Sequence, residues 1–375
     1  MPAPPLLSVV VPVHGVRPYL PACLDSLLTC PAGAPADGAP SGRLVPALEV
    51  IAVDDASPDG SGALLDERAA ADHRLSVIHL DRARGPGNAR NIGLERATGS
   101  YVWFVDGDDV LVPGALGTVT ARLAAEQPDV LLIGYQELYP DGSTRLGHGA
   151  ALLRHSPRGL FSLADAPRTI ELTMTAWSKL FRREFLLALG EPFRPGIHED
   201  IPVTCAALLS GRLSALDDAC YSYRRLRPGS FLATTSSAHW SVFDSYADVL
   251  GMLRRHVESA DPVATPAVRA ALFERAISHY SAILAATGIG FGPAGRAGLV
   301  PRNERRRFFD RMHADYRRYR PAGYRRPPGL RGVKFWLIEH DAYRAYELLE
   351  PANEGRVAIR EKLRRGRRRT VATRG

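Results

Sequence analysis

Hydrophobic and polar positions alternate in blocks along the first 135 residues. Short runs rich in β-branched and aromatic residues predict strands at Leu7–Val13, Leu48–Val53, Leu75–Leu80, Tyr101–Val105 and Val130–Tyr135. Helical spacing predicts helices between them, at Tyr19–Leu28, Ser61–Asp72, Gly87–Ala97 and Gly114–Glu126. This rhythm implies an α/β fold, a mostly parallel sheet with helices on both faces. Residues 31–47 read as a flexible, low-complexity insertion. From about residue 236 the pattern turns helical, at His239–His256 and Pro266–Gly288, with a Gly/Pro-rich break over 288–301. The expected organisation is an α/β domain over 1–235, a helical region over 236–355 and a basic tail over 356–375.

The fourth predicted strand runs straight into Asp106-Gly107-Asp108-Asp109. Ligands in open α/β sheets bind beyond the carboxyl ends of the strands. Carboxylates crowded there repel one another unless a cation shares the site. Their hard oxygens suit Mg²⁺ or Mn²⁺ carrying a diphosphate. An acidic turn capping the next helix is the other reading of this segment alone.

Further polar clusters end the neighbouring strands. Strand one ends at Pro12-Val13-His14-Gly15, and strand two at Asp54-Asp55-Ala56-Ser57-Pro58-Asp59. Asp55 suits a base or sugar, or equally an Asx-turn. Strand three leads to Gly85-Pro86-Gly87-Asn88-Ala89-Arg90-Asn91, half of a dinucleotide fingerprint. Arg90 stands where the last glycine belongs, and the first strand-to-helix turn has only Gly15, so a dehydrogenase fails. Arg90 and Asn91 instead suit positioning of a nucleotide. A second acidic centre, His198-Glu199-Asp200, precedes an apolar helix at Val203–Leu209. Asp200 or Glu199 suits a general base, with His198 tuning it or binding phosphate; helix N-capping by the acids is the bland reading. Lys179, in Trp177-Ser178-Lys179, suits phosphate or substrate, or is a snorkelling lysine.

Composition adds bounds. A chain of 375 residues, 45% hydrophobic and 23% charged, is ordinary for a globular protein. It contains no run of 18 apolar residues, and Leu6–Val13 reads as a strand rather than a signal peptide. Cys23, Cys30, Cys205 and Cys220 lack CxxC spacing and read as reduced thiols of a cytoplasmic protein. The net charge of +8 is concentrated late: ten arginines against three acids over 302–326, and nine Lys/Arg against one acid over 356–374. Phe308, Phe309, Met312, Tyr316 and Tyr319 recur at helical spacing among the arginines, which suits the inner face of a plasma membrane or a polyanionic acceptor. Without a zinc-finger, RNA-recognition or homeodomain signature, nucleic acid is not the expected partner.

Taken together, Val9-Val10-Val11-Pro12-Val13, Val53-Asp54-Asp55-x-Ser57-x-Asp59, Ala89-Arg90-Asn91-x-Gly93, Phe104 to Asp109 and His198-Glu199-Asp200 resemble, in order and spacing, the family 2 glycosyltransferases of the GT-A fold. The resemblance covers about the first 210 residues. It implies inverting, metal-dependent transfer of a hexosyl or N-acetylhexosaminyl group (EC 2.4) from a nucleotide sugar, usually a UDP-sugar. Pro12 and Val13 would line the base pocket and Asp55 would bind the base. Asp106 would sit near the ribose or metal, Asp108 would bind Mg²⁺ or Mn²⁺, Asp109 would line the acceptor side, and Asp200 would be the general base. His14-Gly15 stands where the family commonly has Tyr-Asn, which puts the nucleotide or sugar preference in doubt. The segments Gly332 to Glu339 and Tyr343 to Glu347 look similar to those accompanying glycosyltransferases of wall-teichoic-acid type, which implies a cell-envelope polymer as acceptor. Two other readings stand beside this one: a catalytically degenerate glycan-binding or recruitment module, and a nucleotidyltransferase, which would need a Gly/Lys-rich loop after strand one that Val13 to Arg17 does not supply.

Overall fold

The computed structural model describes residues 4–29, 48–226, 234–285 and 299–349. The insertion at 31–47, Cys30, the basic tail, the end of the helix expected to reach Gly288 and most of the Gly/Pro-rich break lie outside these residues. The chain divides into two compact units, Met1–Phe231 with Ala238–Arg275, and Leu232–Ser237 with Ala276–Gly375.

The first unit is built on one nine-stranded sheet. Its strands are β1 (Leu7–Val13), β2 (Leu48–Asp54), β3 (Leu75–His79), β4 (Tyr101–Phe104), β5 (Val110–Leu111), β6 (Val130–Leu138), β7 (Thr144–Leu146), β8 (Lys179–Arg182) and β9 (Leu213–Arg224). They lie in the order β3-β2-β1-β4-β8-β6-β9-β5, with β7 on β6. The helices are α1 (Leu20–Leu28), α2 (Ser61–Ala71), α3 (Pro86–Arg96), α4 (Ala115–Glu126), α5 (Ala150–Arg154), α6 (Arg183–Ala188), α7 (Asp200–Ser210) and α8 (Ser241–Glu258). The boundary between units falls within α9 (Pro266–Ala285).

The β3-β2-β1-β4 half is parallel, as its continuous apolar strands require. The other half mixes senses: β8 runs antiparallel to both β4 and β6, while β6 and β9 are parallel. The sheet is therefore more mixed than its first half alone suggests. Between β1 and β4 the strand order reverses direction, which opens a crevice at their carboxyl ends. Val9, Val11, Trp103 and Val105 fill the core beneath it. Two glycines permit close approaches. A Cβ on Gly93 would lie 2.2 Å from Val10 Cγ1, so α3 packs directly on β1. A Cβ on Gly134 would lie 2.5 Å from the Asp218 carbonyl, which lets β9 bulge at Asp217-Asp218.

In the second unit, α10 (Arg305–Tyr319) buries Phe308, Phe309, Met312 and Tyr316, and α11 (Gly329–Glu339) buries Phe335, Leu337 and Ile338. Phe309 packs against Tyr343 and Tyr346, and Tyr316 meets Phe335 edge-on. Among the described residues no helix is long and apolar enough to cross a membrane.

Candidate active site

The crevice between β1 and β4 collects most of the residues singled out from sequence. Gly107 lies against the end of β1, where a Cβ would come within 3.2 Å of the Pro12 carbonyl and 3.3 Å of Val13 Cγ2. Val13 is buried and Pro12 is half-buried. Asp55, also buried, spends both carboxylate oxygens on the loop before α3: the amides of Arg84 and Gly85 each donate to it at 2.7 Å. The residue expected to meet a nucleobase thus shapes the loop beside it.

Arg90 is the hub. Its guanidinium is buried and donates through one terminal nitrogen to Glu199 Oε1 at 2.5 Å and through the other to Asp106 Oδ1 at 2.8 Å. Its cationic carbon sits 5.7 Å from the Phe193 ring centroid. Burial alone would lower its pKa, but Asp106, Glu199 and Asp200 outweigh burial and hold it above the ordinary value. The arginine therefore ties the end of β4 to the start of α7, with Glu199 109 residues beyond Arg90 itself. Asn91 makes a second tie, exchanging two hydrogen bonds with the Phe193 backbone at 2.8 and 2.9 Å. Gly87 allows the approach: a Cβ there would stand 2.2 Å from the Arg194 carbonyl.

Asp200 opens α7 and accepts a hydrogen bond from the Ala176 amide at 3.2 Å. Burial, then the charge of Glu199, raises its carboxyl well above the usual carboxylate range, with Arg90, the Ala176 amide and Lys179 opposing. A carboxylate with raised proton affinity can take a proton from a hydroxyl near neutral pH. Asp106 and Asp108 remain half-buried at the end of β4.

Three residues expected on the acceptor or phosphate side lie inside the protein instead. Asp109 is 1% exposed; Tyr221 Oη donates to it at 2.8 Å and the Arg224 amide at 2.6 Å. Burial and the neighbouring Asp108 and Asp106 push its pKa well up. Lys179 is 1% exposed and donates to the carbonyls of Thr173 and Thr175 and to Ser178 Oγ, at 2.7 to 3.1 Å. Burial lowers its pKa to about 7, with Asp200 opposing. It neither snorkels nor points into the crevice, because three acceptors of one loop match the three ammonium protons. His198 is 9% exposed, at φ +63°, and shares a 3.4 Å hydrogen bond with His239. Burial and then His239 lower its pKa to about 4, so the ring is neutral at pH 7.

A model of the family described as glycosyl transferase family 2 matches residues 8–190. GlyG of Streptococcus pneumoniae, a glycosyltransferase, is 30% identical over 247 residues, 63% of this chain and 76% of that protein. The chain belongs to glycosyl transferase family 2. EpsJ of Bacillus subtilis, an uncharacterized glycosyltransferase, is 30% identical over 227 residues, and this chain spans 61% of its length. GlyA of S. pneumoniae is 33% identical over 230 residues, only 31% of that longer protein. Among solved structures, residues 1–349 of S. aureus TarS, crystallised with UDP-GlcNAc, match with a TM-score of 0.65 at 21% identity, over 93% of this chain and 91% of that one. That likeness concerns the fold, which is GT-A with a helical C-terminal region.

The structure also brings in residues that the sequence patterns passed over. Strand β9 brings Tyr221, Tyr223 and Arg224 to the site. Tyr221 and Tyr223 both stack on Trp177, with centroids 4.6 and 5.5 Å apart. Tyr221 Oη accepts from the Asp106 amide at 3.1 Å while donating to Asp109. Arg224 Nε donates to the Asp108 carbonyl at 2.8 Å. The alternation in Tyr221-Ser222-Tyr223 was the available signal, but Asp217-Asp218 interrupts the run that would mark a strand.

Proposed function

We propose that this protein transfers a sugar from a nucleotide sugar, with UDP as the nucleotide, to a hydroxyl of a cell-envelope glycan or teichoic-acid-like polymer, inverting the anomeric centre. The observation carrying this reading is the pairing of two acidic centres through one buried arginine: Asp106 at the end of β4 and Glu199-Asp200 at the start of α7. Asp200 is the base. Its raised proton affinity lets it take the proton of the acceptor hydroxyl as that oxygen attacks the anomeric carbon, in one displacement. Arg90 and Glu199 position it. Nothing in the reaction requires a covalent nucleophile.

The diphosphate end belongs to Asp106 and Asp108. Among the described residues no three His, Cys, Asp or Glu side chains converge on a metal. Mg²⁺ commonly uses one or two carboxylates and completes its shell with substrate phosphates and water, so this pair of hard oxygen donors fits an ion that arrives with its nucleotide. A bound Mg²⁺ or Mn²⁺ supplies charge neutralisation for the departing diphosphate. Asp108 is assigned as its carboxylate ligand, with Asp106 held for the ribose or the metal by Arg90. Pro12, Val13 and Asp55 form the nucleobase side, with Asp55 acting through the Arg84-Gly85 loop. TarS, a structural neighbour, was solved with UDP-GlcNAc, which supports UDP as the nucleotide. The relatives EpsJ, GlyA and GlyG, named as glycosyltransferases, support transfer over a degenerate binding module. The functional division is proposed as a catalytic domain over 1–235 followed by a helical region, of which Ala238–Arg275 groups with the first compact unit, and the site of action as cytoplasmic.

The test is transfer with a panel of UDP-sugars and Mn²⁺. Asp200→Asn is expected to abolish transfer and leave UDP affinity within about twofold. Retained transfer would remove Asp200 from the mechanism, and UDP binding indifferent to Mn²⁺ in the unmutated protein would remove the metal.

A further inference from the structure

Helix α11 has two faces of different chemistry. Phe335, Leu337 and Ile338 are buried, whereas Leu330, Val333 and Trp336 are 36, 44 and 44% exposed. Their i, i+3, i+6 spacing sets the three on one stripe. The Trp336 indole stacks on His340, centroids 4.4 Å apart, which fixes the ring against its own helix. The chain entering α11 forms a shallow groove of about 310 Å³ with it, lined by Arg326, Pro327, Gly329, Gly332, Val333 and Trp336. Gly332 makes that approach possible, since a Cβ there would lie 1.9 Å from the Pro327 carbonyl.

The charge around this stripe is mostly positive, with Glu339 at the end of α11 as the neighbouring acid. From Arg325 to Ile338 the sequence carries Arg325, Arg326, Arg331 and Lys334 and no acid. Arg325 and Arg326 are exposed, Arg326 with Glu339 at 3.6 Å. On α10 of the same unit, Arg307, Arg317 and Arg318 are exposed as well, while the exposed Arg306 is paired with Asp310 and Asp341. Three apolar side chains over two turns are too few for the roughly 1,000 Å² that a stable protein interface buries. They do suit the boundary between headgroups and acyl chains, where a tryptophan ring sits comfortably and flanking cations meet lipid phosphates.

We propose that α11 docks this unit on an anionic bilayer surface through Leu330, Val333 and Trp336, with the exposed Arg325 and Arg326 supplying the electrostatic attraction, while the half-buried Arg331 and Lys334 pack inward on Phe335 and Tyr346. The inference stands independently of the transfer reaction. It is tested by co-sedimentation of the full chain with vesicles of phosphatidylglycerol mixed into phosphatidylcholine, and with pure phosphatidylcholine. Binding to the anionic vesicles is expected, with a blue shift of tryptophan emission that Trp336→Phe removes. The triple variant Leu330→Ser/Val333→Ser/Trp336→Ser should lose about tenfold or more in partitioning. Arg325→Gln/Arg326→Gln should lose about fivefold per charge on anionic vesicles only. Unchanged circular dichroism secures the fold of each variant. Wild-type protein that ignores anionic vesicles would overturn the proposal. So would a triple-serine variant that binds them as wild type does, or a vesicle-free wild-type dimer that the variant converts to monomer, because the stripe would then be covered by a second copy.

Discussion

Replacing Arg90 with methionine tests the centre of the site. Methionine keeps most of the stem volume and removes the guanidinium, together with its cation–π contact on Phe193. What changes is charge. The Arg90 side chain is 6% exposed, Glu199 10% and Asp106 26%. The Glu199 leg is thus a buried ion pair, and removing one partner of such a pair costs about 3–5 kcal/mol, because the remaining carboxylate is left desolvated. The Asp106 leg faces more water and adds at most about 1 kcal/mol. Urea unfolding at pH 7.5, followed by tryptophan fluorescence, reads the loss. The double variant Arg90→Met/Glu199→Gln should recover much of it, since the orphaned charge is gone, giving a coupling of at least about 1 kcal/mol in the double-mutant cycle. The activity predicts a second readout. Arg90 opposes the raised proton affinity of Asp200, so its removal raises that affinity further. The base acts deprotonated, so the acidic limb of the pH–rate profile must move to higher pH. A loss below about 1 kcal/mol, additive variants, or a limb that stays in place or moves down would refute the reasoning.

Asp108→Ala is expected to weaken Mn²⁺-dependent UDP binding by about tenfold or more while leaving the melting temperature near wild type, because Asp108 lies half-buried at the crevice; calorimetric titration with and without Mn²⁺ checks this. Gly87→Ala should destabilise by about 1–3 kcal/mol through overpacking against the Arg194 carbonyl, and should lower transfer more than UDP affinity, since the displaced segment carries Glu199 and Asp200; denaturation and steady-state kinetics read the two effects. Lys179 has a folded pKa of about 7 against 10.5 when unfolded. Between those values the unfolded chain holds a proton the native state has released, so native stability gains as pH rises from 7 towards 10.5. Lys179→Met should flatten that slope, and an unaltered slope would show that the lysine stays charged in the fold.

How much of this was legible in the chain depends on whether a residue's partner is local. Strands β1 to β4 and their helices could be read because each buries a continuous apolar run with its own turn signals, and the crevice at their ends follows from strand order alone. Strand β9 could not, because its bulge puts Asp217-Asp218 in mid-strand and the compensation, Gly134, lies more than eighty residues earlier. The same limit explains the site. The sequence marks Asp106, Asp108, Asp109, Glu199 and Asp200 as acids at strand or helix ends, but chemistry depends on what each one faces. Asp109 faces Tyr221 and the Arg224 amide from β9, so it anchors that strand to the crevice floor. Glu199 faces Arg90, so its charge is neutralised and its geometry fixed. Among the described residues Asp200 has no ion pair comparable to that of Glu199, and one backbone donor, the Ala176 amide, lies at hydrogen-bonding distance. Asp200 and Asp109 both have raised proton affinity, but Asp109 is 1% exposed and bonded to Tyr221 and the Arg224 amide, whereas Asp106 and Asp108 are half-buried at the crevice. The roles proposed for these carboxylates thus rest on their partners, and three of those partners, Arg90, Tyr221 and Arg224, are separated from them by at least 16 residues of chain.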